Sequence, residues 1–181
     1  AVQSTAIGPE AWLDLKNTIE GAVEQHHPDG IVVTHGTATL EETAYFLNVT
    51  LRIECPVVLV GAQRPATALS GDGNLNLVNA ARTAGASEAR GLGVLVVLND
   101  EVQAAREGTM TSTLRLQTFR APDFGALGHA DADAVAFYRH PVRRRYPDTE
   151  FNPVDAAALP RVDVVMSYAG TDGAMVRAAV E

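Results

Sequence analysis

Between residues 9 and 27 the apolar side chains Trp12, Leu15, Ile19 and Val23 recur every three or four positions, the spacing of an amphipathic helix. Pro9 suits its first turn, and Pro28-Asp29-Gly30 ends it. The period then changes. Ile31-Val32-Val33, Pro56 to Gly61 and Gly93 to Leu98 are short unbroken apolar runs, the pattern of strands covered on both faces. Between them, Thr39 and Glu42 spell a T-x-x-E capping box that opens a helix to about Asn48. A further helix is predicted from about Asn74 to Ala84. Strands alternating with helices predict an α/β fold with a doubly wound, mostly parallel sheet flanked by helices. Ligands of such sheets sit beyond the carboxyl ends of the strands. That rule directs attention to Thr34–Thr39, Gly61–Pro65 and Asn99–Thr113.

The second half is less regular. Residues 109–119 are Thr-rich and read as strand or loop, and Ala134 to Tyr138 as a strand. Residues 140–160 hold four of the nine prolines and read as a linker. Val162 to Met166 is predicted as a new strand, followed by the turn Gly170-Thr171-Asp172-Gly173 and a helix from Ala174 to Val180. The expected organisation is an α/β domain over 1–139, a linker over 140–160, and the beginning of a second α/β domain over 161–181.

Composition narrows the function classes. The 181 residues carry 14 Lys and Arg against 22 Asp and Glu, a net charge of −8. A net negative domain is a poor fit for phosphate backbones, so no nucleic acid partner is expected. The short cluster Arg143-Arg144-Arg145 reads as a solvated loop. No run of 18 apolar residues predicts a membrane span, and no leader is visible, although a processed mature protein would look the same. The single Cys55 reads as a buried structural thiol. A disulfide-free chain fits the cytoplasm, with a periplasmic or secreted location left open. There is no metal-ligand spacing and no phosphate loop, so no metal and no cofactor are expected.

The segment Thr34-His35-Gly36-Thr37 carries the most chemistry. It follows a buried strand and precedes a helix. Two hydroxyls and open backbone N–H groups at such a place can cradle a carboxylate or an oxyanion. A purely structural turn explains the same residues equally well. His35 reads as a structural histidine, and His26-His27 as cations suiting a helix end. Asp72 and Asn74 sit in a Gly-rich turn that they are expected to shape. Asn99-Asp100 ends the third strand at the rim where ligands bind, and Asp172 is a turn residue.

Three long strings in this chain resemble one family. DGIVVTHGTATLEETAYFL (Asp29 to Leu47), PVVLVGAQRPATALSGDGNLNLVNAARTA (Pro56 to Ala84) and GVLVVLNDEVQAAR (Gly93 to Arg106) are similar to the signature blocks of the bacterial-type L-asparaginase and glutaminase-asparaginase family. LPRVDVVMSYAG (Leu159 to Gly170) resembles the strand that opens that family's smaller C-terminal domain. The resemblance runs almost end to end. It implies an amidohydrolase that converts L-asparagine to L-aspartate and ammonia, takes L-glutamine less well, and acts through threonine nucleophiles. On the family pattern Thr37 is the motif threonine and a catalytic residue. Ser4 binds the substrate carboxylate, Gly36 and Thr37 line the substrate, and the Ala62 carbonyl receives the substrate amide. The resemblance also implies a homo-oligomer, dimer or tetramer.

Two departures bear on catalysis. Ala38 stands where the family has an Asp, and Met110 where it has a Lys that can take the proton of the motif threonine. Removing one partner of a buried charge pair costs ~3–5 kcal/mol, whereas replacing both by Ala and a pliable Met is much cheaper. The pair reads as a coordinated loss of the proton relay with the fold retained, whether engineered or natural. The family's first strand, with its nucleophilic threonine, has no counterpart here, and neither has most of the C-terminal domain. Weak or absent turnover is therefore expected. The alternatives are a catalytically inactive protein that binds a small amino acid or carboxylate, and a partial chain whose unpaired sheet is completed by another segment.

Overall fold

The computed structural model describes residues 3–151 and 159–181. The first half alternates as its periodicity predicts: α1 (Pro9–His26), β1 (Ile31–Thr34), α2 (Leu40–Thr50), β2 (Val57–Val60), α3 (Gly73–Gly85) and β3 (Val94–Leu98). Five short strands follow: β4 (Glu101–Ala104), β5 (Thr109–Met110), β6 (Phe119–Arg120), β7 (Gly128–Ala130) and β8 (Val135–Phe137). A last helix, α4, spans Ala174–Val180. The main sheet has the order β1-β2-β3-β4-β7-β8, and β5 pairs with β6 apart from it.

For β2 and β3 the continuous apolar runs have the expected cause, whereas β1, at the sheet edge, is only half-buried. Successive residues of β2 and β3 point to opposite faces, and both faces are covered. Val57, Leu59, Val94 and Val96 pack with Leu40, Ala44 and Leu47 of α2 and Ile19 of α1. Val58, Val60, Leu95 and Val97 pack with Ala80 and Ala84 of α3. Each fully buried Val or Leu contributes about 1.5–3 kcal/mol relative to exposure. This arrangement also fixes a handedness. β1, β2 and β3 are parallel and adjacent in chain order, yet α2 and α3 cover opposite faces. Two right-handed crossovers stepping the same way would put both helices on one face. One of the two connections is therefore left-handed, against the usual preference.

The α/β class and the flanking helices stand, with the sheet mixed rather than mostly parallel. β3, β4, β7 and β8 pair antiparallel in succession. The switch occurs at Asn99-Asp100, a two-residue turn with φ of 51° and 64°. Asn and Asp tolerate the left-handed region that such hairpin turns demand.

Several local expectations are corrected. Thr39 precedes α2, but its hydroxyl makes no capping bond and donates to the Ser4 carbonyl at 2.7 Å instead. The stretch 109–119, left open as strand or loop, is both: its two ends form strands, and Thr111–Thr118 is a loop. Val162–Met166 is not a strand. No described strand lies beside it, and Val162, Val164 and Met166 are exposed. An isolated strand has no ladder to stabilise it. In the main sheet β1, β2, β3 and β4 are hydrogen-bonded in succession. Its edges are β1 and β8.

Of the expected linker, residues 152–158 lie outside the described residues, and the stretch before them is pinned to the body. Arg52 donates to the carbonyls of Pro147 and Phe151, and Arg106 to that of Arg144. Arg145 is not solvated as a loop arginine would be, since its guanidinium donates to the carbonyls of Gly91 and Pro141. Tyr146 is buried, donates its hydroxyl proton to the Cys55 carbonyl at 3.0 Å and accepts from Val57 N–H at 3.1 Å. Burial pushes its phenol well above the ordinary range. Cys55 is free and buried, and burial pushes its thiol up as well, which makes it a poor nucleophile. Among the described residues, no helix is long and apolar enough to cross a membrane.

Tyr146 thus holds the start of β2 from 89 residues away. Tyr146→Phe leaves two buried backbone groups unpaired, at about 1–3 kcal/mol. It is expected to lower the thermal midpoint by roughly 2–10 °C, measured by circular dichroism. An unchanged midpoint contradicts this role.

Candidate active site

The carboxyl ends of β1 and β2 open into a cavity of about 340 Å³ lined by Thr34, His35, Gly36, Val60, Gly61, Ala62, Gly73 and Leu77. It lies where the strand-end rule directs. Two glycines make it possible. A Cβ on Gly61 would lie 2.8 Å from the His35 carbonyl oxygen and 3.1 Å from the Thr37 methyl, and one on Gly36 would lie 2.5 Å from Ser4 Oγ. Backbone and side chains approach there too closely for any larger residue. The two strand ends are joined directly by His35 N–H donating to the Val60 carbonyl at 2.8 Å.

Of the residues expected at the site, Gly36 and Ala62 line the cavity together. Ser4 begins a short 3-10 turn, Ser4–Ala6, that sits against Gly36 and is tied down by Thr39. Thr37 begins a second 3-10 turn, Thr37–Thr39, with its methyl toward Gly61. Neither Ser4 nor Thr37 is part of the cavity wall itself. Ala38 is exposed in that turn. Met110 is partly buried, its side chain packed against the core under α1 and α2. Its β-strand is linked to the first turn of α2 by Glu41, whose carboxylate accepts from Thr109 Oγ1 and Met110 N.

His35 is held within the protein. Its Nδ1 is 2.8 Å from the Gly36 carbonyl, which can only accept, so the proton resides on Nδ1. Its Nε2, left as an acceptor, lies 3.0 Å from the Thr43 hydroxyl, and that hydroxyl accepts from Trp12 Nε1 at 2.9 Å. The chain Trp12–Thr43–His35 locks the loop to both helices of that face.

Asp72 shapes its turn as expected, and the residues that the sequence reading passed over, Asn76 and Asn79, lie on α3. Asp72 precedes the helix, and its carboxylate accepts from the backbone N–H groups of Gln63 and Arg64, each at 2.9 Å. Asn76 is 2% exposed. Its Nδ2 donates to the Gly61 carbonyl and to Asp72 Oδ2, and its Oδ1 accepts from Asn99 N–H, all at 3.0 Å. Asn79 Nδ2 donates to Asp100 Oδ1 at 2.8 Å. Gln63 reaches the other way, donating to the carbonyls of Ser112 and Arg115. The signal was there to read: Asn76, Asn79 and Thr83 recur at helical spacing on the buried stripe of an otherwise apolar face. Asn74, by contrast, is exposed.

The family model described as "Asparaginase, N-terminal" matches residues 1–143. The chain belongs to the asparaginase family. It is 44% identical over 180 residues to L-asparaginase 2 of Bacillus subtilis, covering 99% of this chain and 48% of that protein. It is 39% identical over 177 residues to the glutaminase-asparaginase of Pseudomonas fluorescens, covering 98% and 49%. The crystal structure of a probable cytoplasmic L-asparaginase from Campylobacter jejuni superposes with a TM-score of 0.93 at 39% identity, covering 99% of this chain and 57% of that one. The chain thus spans about half the length of the curated asparaginases it matches.

Burial alone would push the Asp72 carboxyl up, but hydrogen bonds from Gln63, Arg64 and Asn76 outweigh it and hold the group below its ordinary value. A carboxyl lowered on folding contributes stability above its unfolded value, near pH 4, and that stability is lost as pH falls through the folded value. Asp72→Asn is expected to flatten the decline of urea-unfolding stability below about pH 4. An identical acid limb in the variant contradicts the assignment.

Proposed function

We propose that this chain carries the substrate pocket of an L-asparaginase-type amidohydrolase, with L-asparagine as preferred substrate and L-glutamine as a lesser one. The observation that carries the reading is the single cavity shared by Gly36 of the THGT string and Ala62 of the VGAQRP string, at the ends of two adjacent parallel strands. Gly36 and Ala62, 26 residues apart in sequence, converge where an α/β sheet binds ligands.

In this reading Ser4 receives the substrate α-carboxylate beside Gly36, and the Ala62 carbonyl accepts from the side-chain amide. Thr37 is the catalytic threonine of this half of the site. A threonine hydroxyl attacks the amide carbon, backbone N–H groups hold the oxyanion, ammonia leaves, and water resolves the acyl-enzyme. Ala38 supplies no carboxylate for the substrate ammonium, and Met110 no amine to take the threonine proton. Turnover by this chain is accordingly weak or absent. No cofactor takes part in the proposed chemistry. We read residues 1–139 as the N-terminal domain, 140–160 as a linker and 161–181 as the opening of the C-terminal domain. The protein is a homo-oligomer located in the cytoplasm, a compartment that suits a chain with one free buried thiol.

The exposed setting of Ala38 and the core setting of Met110 favour a second reading, a binding protein that keeps the pocket and has lost the relay. Ammonia release from L-asparagine separates the two. The double variant Ala38→Asp, Met110→Lys is expected to raise the rate at least tenfold above the parent, since general base catalysis contributes about 10²–10⁴-fold. Adding Thr37→Val is expected to abolish the gain. No gain in the double variant, with L-aspartate still bound by the parent, favours the binding protein. A gain that survives Thr37→Val removes Thr37 from the mechanism.

A further inference from the structure

The segment Gly61-Ala62-Gln63-Arg64 is held on both sides of Ala62 by side chains at the start of α3, Asp72 just before the helix and Asn76 in its first turn, and by nothing from Ala62 itself. Before it, the Gly61 carbonyl accepts from Asn76 Nδ2. After it, the N–H groups of Gln63 and Arg64 donate to the two oxygens of Asp72. Asn76 and Asp72 are hydrogen-bonded to each other, so the two clamps are one unit. Asn76 spends its remaining acceptor on Asn99 N–H at the end of β3, which ties the unit to the next strand. The peptide planes flanking Ala62 are therefore set by α3, and Gly73 at the start of that helix lies close enough that a Cβ on it would meet the Ala62 Cβ at 3.3 Å.

We propose that Asp72 and Asn76 are positioning residues for substrate selection: they aim the Ala62 carbonyl into the cavity, so that the site prefers a side-chain amide, which has an N–H to donate, over a carboxylate, which has none. This rests on the reading of the cavity as the amino acid site. An amide and a carboxylate of the same shape differ in that donor and in charge, and a rigid carbonyl acceptor favours the first and opposes the second, whereas a mobile one can turn away. Neither residue touches the substrate. Each acts through the backbone of residues 61–64.

The test is calorimetric titration of the protein with L-asparagine and, separately, with L-aspartate. Asp72→Asn keeps the side-chain volume but cannot accept both backbone N–H bonds. It is expected to weaken L-asparagine about tenfold, the worth of one hydrogen bond, and to leave L-aspartate within about twofold. Asn76→Ser, which loses the donor to Gly61, is expected to do the same. Tyr146→Phe controls for plain destabilisation, since it lies at the opposite end of the strands and is expected to leave the ratio of the two affinities unchanged. Equal loss of both ligands in the α3 variants, or no change in either, overturns the positioning role while the site reading stands. If the parent binds neither ligand, the site reading fails and this proposal fails with it.

Discussion

The His35 carbonyl occupies the space that any side chain on residue 61 would need, 2.8 Å from the place of its Cβ. That contact lets the ends of β1 and β2 close on each other. β2 has no freedom to splay, because Val57, Val58, Leu59 and Val60 are all at 3% exposure or less, and each of the four pairs in parallel register with β1. The loops that leave them must therefore begin at fixed points, a few ångströms apart. The cavity exists because neither loop can fill it: Gly36 and Gly61 have no side chains, and Thr37 turns its methyl toward Gly61 rather than across the opening. Rigidity of the sheet and smallness at its rim together make a pocket that is formed before any ligand arrives.

The polar stripe of α3 is the counterpart of that rim. A buried Asn or Asp is costly unless each of its groups is satisfied. Asn76 satisfies all of the bonds it makes with the backbone at strand ends and with Asp72. An apolar α3 would have packed as well against Val58 and Leu95, but it would have left the Gly61 carbonyl and the Asn99 and Gln63 N–H groups to find other partners. The helix thus does two jobs on one face: Ala80 and Ala84 press on the sheet, and Asp72, Asn76 and Asn79 pin the loops beyond it.

Much of this was legible in the sequence, for physical reasons. Short unbroken apolar runs bounded by Gly and Pro read as strands, so the elements from α1 to β3 and the rim segments Thr34–Thr37 and Gly61–Ala62 followed from pattern, although β1 is only half-buried. The antiparallel half did not. β4 to β8 are two to four residues long, too short for a period to declare itself, and their pairing hinges on one Asn-Asp turn. The capping box failed because the Thr39 hydroxyl is turned to donate to the Ser4 carbonyl and accepts from no backbone N–H in the first turn of α2. Val162–Met166 has strand composition but no neighbouring strand among the described residues. Asp72 was legible as a turn-shaping residue, but its partner Asn76 was missed, because a polar residue on a helix reads as solvent-facing until the partners it meets are known.

The central claim is that the pocket between the ends of β1 and β2 is where a small amino acid binds. Backbone amide NMR during titration with L-aspartate tests it residue by residue. The account predicts saturable shifts concentrated at His35, Gly36, Thr37, Ala62 and Gln63, with little change elsewhere. A polar cleft lined by Glu20, Arg52, Glu54 and Arg90 lies at the other end of the strands. Shifts centred there, or no saturable shifts at all, would contradict the account.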